Sequence, residues 1–273
     1  MTLFLLNFCT MIKCKFTSVR LSKALMMSSQ SGKFWVRTEE FAKSICLTLG
    51  KHPGWLLSTS NFIITLAIMT GYLIDRMSWA FSETGFATYY SGLQIFLIAI
   101  SCLLISNHVF KIPTELNKRH KLIWRMAAFG FFYLCLDELA QFHEKLDYAT
   151  HFIFSIQETK LTDMIDDAIL LSIIVFGGLF LLFNRKVFLR DYGYTKTYAF
   201  SFVLLVGMML VDIILGGAVD YSIDFIDAAA QVRITNLAYV LEDSLKIWGG
   251  TFLLMAVSGV LVKIKSNVED DGN

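Results

Sequence analysis

Proline is almost missing from this chain: two occur in 273 residues, Pro53 and Pro113, and both fall between apolar stretches. No helix interior has to accommodate a proline kink. Charge is scarce as well, at 17% of residues against 55% hydrophobic, and the mean hydropathy of +0.57 lies well above that of a soluble domain. The chain therefore reads as a membrane protein. Its net charge is +1 and no dense basic run appears, which argues against a surface built to track phosphates and against a nucleic-acid partner. Cysteine is limited to Cys9, Cys14, Cys46, Cys102 and Cys135. The number is odd, the spacing fits no zinc site, and none lies in a segment expected outside the cell, so no disulfide framework is expected. The opening MTLFLLNFCT has neither a positive region ahead of its apolar run nor a small-residue cleavage pattern behind it, and does not read as a signal peptide.

What is abundant is apolar sequence in long runs. Stretches near 55–74, 91–110, 122–141, 165–184, 197–218 and 238–262 are each long enough to cross roughly 30 Å of hydrocarbon, which takes about 20 helical residues. The expectation is an all-α, polytopic membrane protein of about six transmembrane helices. Eighteen of the 24 Lys and Arg residues fall in the N-terminal segment, the second and fourth loops and the tail. The first, third and fifth loops hold only Arg76, Lys145, Lys160 and Arg233. Positive charge marks the cytoplasmic side, so both termini are expected there, in a cell (inner) membrane. The domains expected are a cytoplasmic segment 1–54, a six-helix body 55–263 and an acidic tail 264–273. Within the first, Phe34, Phe41, Ile45 and Leu49 share a helical face, as in a helix lying on the membrane surface. Paired glycines in the last three spans (Gly177 and Gly178, Gly216 and Gly217, Gly249 and Gly250) read as points of close helix contact.

The chemistry concentrates in FFYLCLDELAQFHEKLDYATH, where the third span runs into its loop. If the helix continues past the membrane, steps of about 100° per residue put Asp137, Gln141, Glu144, Tyr148 and His151 on one stripe, with Glu138 at its edge and His143 on another face. At about 1.5 Å per residue, Asp137, Asp167, Asp212 and Lys246 lie roughly 22–25 Å up from the cytoplasmic side, and Glu242 and Asp243 roughly 30–32 Å. This makes an acidic layer in the outer third of the bilayer. Asp163, Asp166, Asp167, Glu242 and Asp243 sit at helix starts, where capping explains a carboxylate as well as function does. Glu242 and Lys246, four apart, also fit an intrahelical pair. Asp137, Glu138 and Asp212 resist that account, because they lie toward helix C-termini, where a negative charge opposes the dipole. So many carboxylates facing so few cations call for protonation, bound metal or water.

A divalent metal is the one cofactor this layer leaves room for, with Asp137, Glu138, His143, Glu144, Asp167, Asp212 and Glu242 as candidate ligands. The spacing D-E-x(4)-H-E is no standard metal motif; the Glu-x-x-His of di-iron bundles and H-E-x-x-H are both absent.

Around Cys135, Leu136, Asp137, Glu138, His143 and Glu144, with a second element of Leu241, Glu242, Asp243 and Gly249, the chain resembles uncharacterised bacterial multi-pass proteins. Those carry a Ser-x-Asp-Glu-x(4)-His-Glu segment ending one helix and a Glu-rich start to the last. Cys135 stands here in place of the serine. The resemblance covers about a fifth of the chain and brings no activity with it.

Three functions follow as expectations. The acidic layer is an outward-facing site that binds or conducts a cation, proton or divalent metal in a transporter- or channel-like protein. Alternatively, it is a metal-dependent hydrolase acting on a lipid or lipid-linked substrate at the outer leaflet, with Glu138 or Glu144 as catalytic base. The third reading is an oligomeric sensor or interaction protein. The lipid bilayer is the partner common to all three, with a homo-oligomer and a cytoplasmic protein left open.

Overall fold

A computed structural model describes residues 40–73, 81, 85–108, 115–142, 145, 149, 153, 165–188, 193–211 and 228–270. The chain divides into two units, Met1–Ser44 and Ile45–Asn273. In the first, the described residues 40–44 are helical and Phe41 is exposed. The second is helical wherever described, apart from short turns, with no strand among the described residues.

In chain order its helices are α1 (45–51), α2 (Pro53–Leu73), α3 (Phe86–His108), α4 (Glu115–Ala140), α5 (Ile165–Phe183), the single turn α6 (Arg185–Phe188), α7 (Thr195–Val211) and α8 (Ala228–Asp270). The six apolar runs expected from sequence each overlap one of α2, α3, α4, α5, α7 and α8. Three helical stretches are long and apolar enough to cross a membrane by length and composition: Pro53–Leu73, Phe86–Asn107 and Val232–Ser266. Pro53 opens α2, where its missing N–H costs nothing because a first-turn N–H has no intrahelical acceptor.

The helix α8 is the axis. It packs against α2, α3 and α7, while α4 lies along α3. Ile98, Ile105, Trp124, Phe188, Leu254, Val257, Val260 and Leu261 form one continuous core, with the Trp124 and Phe188 rings edge-on at 4.7 Å. Cys46 and Leu47 of α1 join that core, and a Cβ at Gly50 would run into the backbone of Ser258, so α1 docks against α8 through these residues. Large apolar side chains face outward from most helices, among them Phe62, Phe129, Phe176, Phe183 and Val203. Such a surface suits lipid and would be an aggregation liability in water.

Two elements differ from expectation. The last helix runs 43 residues, past both ends of the expected 238–262 span and through most of the acidic tail. And α4 does not continue into the following loop in phase. Gln141 takes a left-handed φ of 53°, its N–H bonding Asp137 O at 2.6 Å, which is the geometry that ends a helix. The Lys145 ammonium donates to Ala140 O at 2.5 Å and so satisfies a terminal carbonyl at the negative end of the dipole.

Candidate functional site

The break at Gln141 leaves Asp137 and Glu138 in the last turn of α4, beside the opening turns of α3. Gly92 sets how closely the two helices approach. A Cβ there would lie 3.0 Å from the Leu139 side chain, and Cys135 Sγ donates to Gly92 O at 3.4 Å. With the backbones this close, the Glu138 carboxylate reaches across to Ser91, whose hydroxyl donates to Oε1 at 2.5 Å. From the other side α8 supplies Lys246, whose ammonium lies 3.2 Å from the same Oε1 and 3.1 Å from Asp243 Oδ1. Asp243 is buried at 5% exposure and Asp137 at 3%, whereas the Glu138 and Lys246 side chains keep 17% and 20%. The charged layer is thus a shell of buried acids around one accessible carboxylate–ammonium pair.

Both donors use one oxygen of Glu138. No hydrogen bond to Oε2 is found among the described residues. Asp243, three residues before Lys246 on α8, and Glu138 on a neighbouring helix are the carboxylates bonded to its ammonium.

One to two turns further along α3 and α8, away from Glu138, lies a second polar layer that contains no charge. The Gln94 amide donates to Thr251 Oγ1 at 2.9 Å and to Ser60 Oγ at 3.3 Å. Ser60 and Thr251 hydroxyls are 2.6 Å apart, and the Tyr90 hydroxyl is 2.9 Å from Ser60. Ser60 and Thr251 are fully buried, and Gln94 is 2% exposed. Gln94 Oε1 has no hydrogen-bond donor among the described residues and rests on Gly250, where a Cβ would sit 2.6 Å away. The neighbouring Gly249 instead receives Leu205 of α7, so the two glycines serve different helix contacts, as paired small residues were expected to. Ile247 lies between the layers, buried with Ala67, Phe81 and Ala87.

The sequence-derived site divides accordingly. Glu138 meets Ser91 and Lys246, and Asp137 and Glu242 lie in the neighbouring turns. Asp167 belongs to α5, and nothing is described of its side chain. His143, Glu144 and Asp212 fall outside the described residues. Among the described residues no group of three or more His, Cys, Asp or Glu is placed to hold a metal ion. Sequence reasoning missed Ser91, Ser60, Tyr90, Gln94 and Thr251. The signal for two of these was available: Ser91 and Gln94 recur with Thr88 at three-residue spacing in an otherwise apolar span, which puts them near one face.

Residues 54–260 match the family described as Domain of unknown function (DUF8692), and the chain belongs to that family. The matched stretch contains every side chain of both polar layers. No curated protein and no solved structure matches the chain.

Proposed function

For this DUF8692 member we propose that the charged layer is an outward-facing intramembrane site that binds or conducts a cation or proton in a transport-like protein. The observation that supports it is the asymmetry of Glu138: Ser91 and Lys246 both bond Oε1, and no partner of Oε2 is found among the described residues, on a side chain that keeps 17% exposure. A partly exposed carboxylate within an apolar helical bundle is a common mark of a cation or proton site. The Lys246 ammonium lies within reach of two carboxylates, those of Glu138 and Asp243. In this reading the layer lies at the outer leaflet of the cell membrane with both termini in the cytoplasm, which the Lys and Arg distribution supports. The neutral layer then lies inward of Glu138 and offers hydroxyl and amide groups in place of water.

The test is reconstitution of purified protein into vesicles carrying an imposed proton or alkali-cation gradient, read by an entrapped dye. Wild type dissipates one of these gradients and Glu138→Gln, matched for incorporation, slows it by about tenfold or more. Vesicles with wild-type protein that hold every gradient as well as empty ones overturn the proposal.

A further inference from the structure

Charge divides the second unit by height. The acids whose side chains are described there, Asp137, Glu138, Glu242 and Asp243, all lie around the charged layer. The opposite end of the bundle carries cations, and on α8 the path from Asp243 to Lys263 is about 30 Å of helix, close to the thickness of the hydrocarbon. These cations are mounted on the continuous core. Trp124 is buried next to the exposed Arg125, Val187 and Phe188 are buried directly after the exposed Arg185 and Lys186, and Tyr198 is buried two residues after the exposed Lys196. The turn α6 shows how the mounting is made. Where α5 ends, the Asn184 side-chain amide donates to Phe180 O at 2.9 Å, and the Val187 N–H donates to Asn184 O at 2.8 Å. The chain then seats Phe188 against Trp124 and Phe180, with ring centroids at 4.7 and 6.0 Å, and leaves both cations outside. Beside α7, the Tyr194 ring lies on Gly259 of α8, where a Cβ would collide with it, and the Lys263 ammonium stands 5.8 Å from the ring centroid. Among the described residues no carboxylate pairs with Arg125, Arg185, Lys186 or Lys196.

We infer that this rim of cations is a binding surface for the headgroups of anionic phospholipids in the leaflet it faces. A lipid phosphate lies where apolar helices end, which is where these side chains stand. The guanidinium groups of Arg125 and Arg185 can each offer a phosphate two parallel N–H donors. Because buried neighbours fix their backbones, less freedom is lost when a headgroup binds. The surface beside the cations identifies a lipid as the occupant. Leu122, Met126 and Phe129 flank Arg125, and Leu182 and Phe183 precede Arg185, all exposed, so a ligand with a negative headgroup and acyl chains meets both kinds of surface at once. A free phosphate would use only the first. Nothing in this inference depends on ion movement through the charged layer.

The experiment is reconstitution of the full-length protein into phosphatidylcholine vesicles holding a trace of spin-labelled phosphatidylglycerol or spin-labelled phosphatidylcholine. Electron paramagnetic resonance then resolves the label immobilised on the protein. Wild type is expected to hold the phosphatidylglycerol label about threefold or more in preference to the phosphatidylcholine label, and sodium chloride lowers that ratio. Arg125→Gln combined with Arg185→Gln and Lys186→Gln brings the ratio close to one, while Arg233→Gln, at the far end of α8, leaves it unchanged. Fold is checked by circular dichroism and gel filtration. If the triple variant does not fold, the pair Arg185→Gln and Lys186→Gln on the exposed side of α6 takes its place, with about half of the preference lost. Sodium phosphate at equal ionic strength lowers the wild-type ratio no further than sodium chloride does. A wild type without preference, a folded variant that keeps all of it, or specific displacement by phosphate overturns the inference.

Discussion

The charged and neutral layers are built from overlapping helices one to two turns apart, yet they are held by different physics. In the charged layer, Glu138 and Asp243 share the ammonium of Lys246, and removing Lys246 takes that partner from both. In the neutral layer, Ser60, Gln94 and Thr251 share short-range hydrogen bonds that each contribute little, and their geometry depends on Gly250 having no side chain. The comparison teaches that the first layer is sensitive to charge and tolerant of shape, and the second the reverse.

The largest effect separating them is expected at Lys246. Lys246→Met leaves the Glu138 and Asp243 carboxylates without their shared partner and costs about 3 kcal/mol in reversible unfolding from detergent. Adding Glu138→Gln recovers part of it, because one of the two carboxylates left behind is neutralised. If the double variant is no more stable than the single one, charge compensation is not what holds this layer.

A smaller loss tests the neutral layer. Gly250→Val places a branched side chain where even a Cβ would lie 2.6 Å from Gln94 Oε1, and overpacking of this kind costs about 2 kcal/mol. Gln94→Ala in the same chain relieves the clash, so the double-mutant cycle shows favourable coupling. Additive losses would mean that Gly250 and Gln94 do not meet.

The smallest effect, and one of opposite sign, belongs to the end of α4 that presents Glu138. Gln141 holds a left-handed φ of 53°, which costs a non-glycine residue about 1 kcal/mol. Gln141→Gly is expected to stabilise by up to that amount and leave transport unchanged. A Gln141→Gly variant that unfolds more readily would show that the Gln141 side chain contributes more than its backbone conformation costs.

How far the site could be read from sequence follows from the same contrast. Glu138, Asp243 and Lys246 stood out because a charge within an apolar run is rare and costly, so its position alone is informative. Ser60 and Thr251 did not stand out. Single hydroxyls in a span commonly bond their own helix, as Thr251 also does to Ile247 O at 2.7 Å. Only their convergence with Gln94 across three helices distinguishes them. The phase break after Ala140 was hidden for a different reason: glutamine carries no helix-stop signal, and a helical pattern extrapolated through Gln141 put Glu144 and His151 on a stripe with Asp137 that the left-handed turn interrupts.

By itself the sequence determined the helical membrane class and where acids and their one nearby lysine would fall along each helix. Apolar length and Lys/Arg placement are properties of segments, readable without knowing their neighbours. Only the tertiary structure decided that Lys246 bridges to Glu138, that Gln94 rests on Gly250, and that α4 ends at Ala140. Each of these depends on how closely two backbones approach, and that distance is set by small residues such as Gly92 and Gly250, which announce proximity but not the identity of the partner.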